Sequence, residues 1–109
     1  MYEADELKLL SLPENRIWHD LEGFKESFPN AVGGRGQIEY FFPKNGITKQ
    51  QKIPEEWGKH IILMPLMSGD KNDGMCEFHK SNGRWWRNFL PFHYDFRANS
   101  YLLIPIPKF

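Results

Sequence analysis

Two tryptophans stand side by side at positions 85 and 86, bracketed by Arg84 and Arg87 and following closely on Asn82-Gly83. An Asn-Gly pair is the strongest short signal for a two-residue turn between antiparallel strands, because both residues tolerate positive φ. Met75 to Lys80 and Arg84 to Leu90 therefore read as the arms of a hairpin. Neighbouring residues of a strand point to opposite faces, so the two indoles cannot enter one core. A two-residue turn also sets the register, placing Lys80 opposite Trp85 and His79 opposite Trp86, with the first pair suited to a cation–π contact. One indole meets the covered face of the sheet, and the other needs a different cover or stays open.

Upstream, Ser11-Leu12-Pro13-Glu14 has the spacing of a capping box, in which a hydroxyl and a carboxylate each satisfy an unpaired helix amide. Ile17, Trp18, Leu21, Phe24 and Phe28 follow as an apolar stripe at helical period. The pattern predicts a helix from Leu12 to Phe28, ended by Pro29-Asn30, with a preceding helical turn over Ala4 to Leu10. Gly33-Gly34-Arg35-Gly36 lacks the lysine and hydroxyl of a phosphate loop and reads as a turn into the sheet.

Beyond it, short apolar runs divided by turn residues predict strands at Gln37 to Phe42, Ile47 to Ile53, Lys59 to Met67, Phe92 to Phe96 and Tyr101 to Ile106, besides the hairpin. Asn45-Gly46 marks a further turn, and Pro54 to Gly58 a connection. Lys59 to Met67 reads as a central strand whose Pro65 confines its end to an edge or bulge. Pro105 and Pro107 suit an exposed edge strand at the end of the sheet. The expectation is a single α+β domain over 1–109: an N-terminal helix packed on a mostly antiparallel sheet of five to seven strands, or the same sheet strongly curled.

Charge and composition narrow the function classes. The chain has 14 basic and 14 acidic residues, with seven acids and three bases in residues 1–30, so it lacks the imbalance of a polyphosphate binder or an acidic decoy. A single cysteine, an acidic start and no apolar run long enough to span a bilayer point to a reducing, cytoplasmic setting with no membrane insertion. Aromatic residues make up 16% of the chain and crowd its C-terminal half.

Cys76 to Arg97 holds seven aromatic rings and four cations. Trp and Arg are the residues most enriched at binding hot spots. The leading expectation is accordingly a small, non-enzymatic accessory or inhibitor protein that binds a protein partner through Trp85, Trp86, Arg84, Arg87, His93 and Arg97, with Asp95 beside them. One alternative is a single-stranded nucleic-acid binder that stacks bases on the same rings. The other is a small hydrolase or nuclease built on His93 and Asp95, placed on one strand face by alternation with Phe92, Tyr94 and Phe96, with His79 or Glu77 across the hairpin. A homodimer through the aromatic face is a further partner choice.

Cys76-Glu77-Phe78-His79 has the spacing of half a zinc site, but residues three apart on a strand diverge, so neither metal nor other cofactor is expected. Cys76 reads instead as a small core residue. Asp70, Asn72 and Asp73 lack the bidentate glutamate of a calcium loop and read as solvated. His19 and His60 border apolar stretches and receive no role.

Overall fold

The computed structural model describes residues 1–43, 53–66 and 73–107. The expected Asn45-Gly46 turn, all but the last residue of the Ile47 to Ile53 strand, and Asp70 and Asn72 lie outside that range. In chain order the elements are β1 (Leu7–Ser11), α1 (Leu21–Ser27), α2 (Arg35–Phe41), β2 (Ile61–Leu66), β3 (Gly74–Ser81), β4 (Arg84–Leu90) and β5 (Ser100–Pro105), with 3-10 turns at Ala4–Glu6 and Glu55–Lys59. They form an α+β structure around one open sheet of order β1-β5-β2-β3-β4, antiparallel throughout except that β2 and β5 run parallel.

The centre of this sheet is divided by its prolines. The parallel pairing of β2 with β5 covers only Ile61–Ser100, Ile62–Tyr101 and Leu63–Leu102. Continued at the same offset, the ladder would need the amide of residue 65 to donate to the Leu103 carbonyl, and the amide of residue 105 to donate to the carbonyl of residue 65. Both positions are proline, which has no N–H. The two orphaned acceptors find donors in the segment between the helices: Val32 N–H donates to Leu103 O and Gly34 N–H to Pro65 O, each at 2.8 Å. A buried carbonyl left without a donor would cost roughly 1–3 kcal/mol. Residues 32–34 thus replace the missing rungs.

The same segment carries the chain from one face of the sheet to the other. Ala31 packs in the cluster of Leu12, Trp18, Phe24, Leu63, Met75 and Leu102, whereas Val32 packs in the cluster of Ile38, Phe41, Ile62, Met64 and Phe78. Leu63 and Leu102 alternate with Ile62 and Leu103 along their strands, so the two clusters lie on opposite faces. α1 and the loops around it cover one face, and α2 with Trp57 covers the other. Glycine is required where the passage is narrowest, since a Cβ on Gly33 would lie 2.2 Å from the Pro65 carbonyl oxygen. The N-terminus then fastens onto α2: Tyr2 N–H donates to Gln37 Oε1 (2.8 Å), Gln37 Nε2 donates to Tyr2 O (2.9 Å), and the Tyr40 hydroxyl donates to the Glu3 carboxylate. That last bond holds the Tyr40 phenol above its ordinary pKa, because ionisation would remove the donated proton and set a phenolate against Glu3.

Several sequence expectations are corrected. No helix spans Leu12 to Phe28. Ser11 ends β1, and the chain stays irregular to Asp20, with Leu12 N–H donating to Ser100 O and Arg16 bridging to Phe96. His19 turns the chain at φ 68°, and Asp20 caps α1 by accepting from Gly23 N–H at 2.8 Å. The apolar stripe is real in part, for Trp18 meets Phe24 and Phe28 edge-on, but Trp18 reaches them from a loop and Ile17 points to solvent at 47% exposure. Ala4 to Leu10 is helical only to Glu6 before entering β1.

Gln37 to Phe42 is not a strand. Most of it belongs to α2, because Ile38, Phe41 and Phe42 stand three and four residues apart and bury one helix face, overriding the strand preference of Ile, Tyr and Phe. Phe92 to Phe96 is a turn, with Tyr94 N–H donating to Pro91 O at 3.0 Å; Phe92 and Phe96 are buried as expected, while Tyr94 is exposed. β5 is interior, not an edge, and its Pro105 is accommodated because the adjoining side faces the gap. β2 is central as expected, and Pro65 sits where the pairing with β5 has stopped. The sheet does not curl.

The passage makes opposite demands on two neighbouring glycines. Gly33→Ala should lower stability by about 1–3 kcal/mol, as an overpacked site does. Gly36→Ala, where a Cβ would meet only Met1 Sδ at 3.8 Å within α2, should raise it by up to about 1 kcal/mol. Urea unfolding midpoints of the two variants measure both signs.

Candidate functional site

The β3–β4 hairpin closes through Asn82 and Gly83, with φ of 53° and 76°, the geometry the Asn-Gly pair is suited to. Its register pairs Lys80 with Trp85, His79 with Trp86 and Phe78 with Arg87. The two indoles therefore part to opposite faces, and their surroundings differ.

Trp85 is half-buried against Phe42, with ring centroids 5.0 Å apart in a T-shaped arrangement, and Phe42 stacks on Phe78 at 3.9 Å and 9°. Arg87 belongs to the same face. Its guanidinium lies 5.4 Å from the Phe78 ring centre, and Nη1 and Nη2 donate to Glu39 Oε1 at 3.3 and 3.2 Å. Arg87 thus ties α2 to β4, a task the sequence alone did not reveal.

Trp86 occupies the other face, 49% exposed, with the Arg84 guanidinium 5.4 Å from its ring centre. The cation beside an indole is thus observed with Arg84 and Trp86. His79 stands opposite Trp86, and Ile61, one residue before the Ile62–Phe78 pair, continues the row at 40% exposure. Phe89 adds a second open ring at 48% exposure on the Trp85 face. It folds over Gly74, where a Cβ would sit 2.5 Å from the ring. Ile61 and Phe89 were not singled out from the sequence, although Phe89 shares the parity of Trp85 and Arg87.

The remaining candidates are scattered. His93, Asp95 and Arg97 are exposed and lie on the turn around Phe92 to Phe96, so strand alternation does not gather them. Cys76 is buried on the Arg87 face and His79 lies on the Trp86 face, which separates the C-x-x-H pair. Among the described residues no cluster of three or more His, Cys, Asp or Glu side chains could hold a metal ion. His60 packs against the Tyr101 ring, with centroids 4.3 Å apart, and His19 is exposed.

A cavity of about 450 Å³ opens beside the passage through the sheet, lined in part by Met1, Tyr2, Val32, Gly34, Gln37 and Pro105. Its lining side chains include no carboxylate, imidazole or thiol, and the Gln37 amide is already engaged with Tyr2. This is a poor setting for acid–base chemistry. Compared with known proteins, the chain matches no family model, no curated protein and no solved structure. No helix among the described residues is long and apolar enough to cross a membrane.

Two measurements follow from this placement. Trp85→Ala should cost about 2–3 kcal/mol of stability through lost packing on Phe42, whereas Trp86→Ala should cost under about 0.5 kcal/mol, as read from unfolding midpoints. Burial raises the Cys76 thiol pKa; Arg87 opposes that shift and Glu39 adds to it. The folded protein should therefore react with an aromatic disulfide reagent at neutral pH at least roughly tenfold more slowly than the denatured chain.

Proposed function

We propose that the chain is a small non-enzymatic accessory or inhibitor protein that docks on a protein partner through the Trp86 face of its hairpin. The observation that carries this reading is the division of labour between adjacent indoles: Trp85 contributes to packing on Phe42, and Trp86 is left half open with a guanidinium alongside. Folding gains little from an indole in that position, while a partner that covers it gains the desolvation of a large ring and a cation held close to it. Ile61 and His79 extend the surface in one row across three strands. Arg87, committed to Glu39, supports the hairpin from behind.

The surface offers one dominant ring on this face, in place of the succession of rings on which consecutive bases stack, and this favours a protein partner over a single strand of nucleic acid. His93 and Asp95, spread on an exposed turn, are not needed for the proposed role.

Pull-down from the source cell with wild type and Trp86→Ala tests the proposal. The variant should lose its partner, with affinity weakened by about 2 kcal/mol or roughly 30-fold. Equal recovery with both proteins would remove Trp86 as the anchor. A labelled single strand bound with steep salt dependence would replace the protein partner with nucleic acid.

A further inference from the structure

The hydrogen-bonding side of each residue in the hairpin follows from its turn. A two-residue turn makes Ser81 and Arg84 the closing hydrogen-bonded pair, so Arg84, Trp86, Asn88 and Leu90 direct their backbone groups toward β3. The backbone N–H and C=O groups of Trp85, Arg87 and Phe89 then point away from the sheet. Among the described residues β4 ends the strand order, and no strand answers these groups. Edge strands are ordinarily blunted by proline, bulges or short length. β4 has none of these, for it runs seven residues in unbroken register with β3 and contains no proline. Of the charged side chains that also guard edges it has Arg84 and Arg87, and Arg87 is turned onto Glu39. It also holds an open ring on each side of the sheet, Trp86 on one face and Phe89 on the other.

We infer that β4 is a template for strand addition and takes an extended, acidic peptide segment of the partner, gripped between Trp86 and Phe89. This rests on the protein-binding role proposed above and specifies its mode. Charge selects the occupant. With Arg87 already paired to Glu39, the hairpin still carries Lys80 and Arg84 against Glu77. A second copy of the chain would bring the same excess of cations to both sides of the joint, whereas an acidic strand would neutralise it. Main-chain hydrogen bonds would supply affinity and the two rings side-chain selectivity, as in other cases of β-strand addition.

Selection of random linear peptides on the immobilised full chain provides the probe, followed by synthesis of the enriched sequence with each backbone amide methylated in turn. Acidic peptides should be enriched, and methylation should weaken binding at every second residue only, by roughly tenfold at each sensitive position. On the protein, Phe89→Pro removes one outward N–H and spares the bonds to β3. It should bind roughly tenfold more weakly than Phe89→Ala, which keeps that N–H. If Phe89→Pro does not fold, the methylation series decides alone.

A methylation series without two-residue periodicity overturns strand addition, and so does equal binding by the two Phe89 variants. If Trp86→Ala still abolishes binding in either case, the Trp86 surface stands without strand addition. If Trp86→Ala binds normally, that surface falls as well. Enrichment of neutral or basic peptides, or of none, overturns the acidic partner. A dimer of the chain alone that Phe89→Pro dissolves would show that a second copy covers β4.

Discussion

Two prolines facing one gap set the plan of this molecule. Pro65 and Pro105 stand where β2 and β5 would otherwise continue their ladder, and neither can donate the hydrogen bond required. The resulting opening would be an unsatisfied seam in the middle of the sheet. Val32 and Gly34 fill it with two amides, and the chain crosses there from the α1 face to the α2 face. Gly33 permits the crossing because its backbone lies against the Pro65 carbonyl with no room for a side chain. A sheet covered on both sides is built in this way without routing the connection around an edge.

Coverage on both faces determines what remains exposed. α2 and Trp57 close one face, α1 and the loop holding Trp18 close the other, and the sheet interior is sealed by Ile62, Leu63, Met64, Leu102 and Leu103. β4, at the end of the described strand order, is only partly sheltered. Its inward residues are still secured, Trp85 by Phe42 and Arg87 by Glu39 and Phe78. Trp86 and Phe89, both on β4, are each about half open. The fixed hairpin geometry limits the rotamer entropy that a binding event would have to overcome.

The hairpin was legible in the sequence because its determinants are local. Asn82-Gly83 specifies the turn, the turn specifies the register, and alternation separates Trp85 from Trp86. Which indole would be open was not legible, since Phe42 reaches Trp85 only through the placement of α2. The helices were misread for the same reason. The spacing from Ser11 to Glu14 matches a capping box in isolation, whereas the residue that caps α1 is Asp20. Ser11 is held in β1 opposite Tyr101, a pairing across nearly the whole chain that no local pattern encodes. Pro105 suggested an edge strand from its missing N–H, and the inference about the N–H was sound. What escaped the sequence was that the vacancy faces inward, toward a second proline forty positions earlier.

The position of β5 also bears on synthesis. Among the described residues it is the last strand in chain order, yet it is the only strand neighbouring β1 and one of the two neighbouring β2. Until Ser100–Pro105 are made, β1 lacks the strand it pairs with here and β2 has one edge unpaired. The sheet therefore closes only through pairings between segments far apart in the chain, which slows folding and leaves strand edges exposed in the meantime.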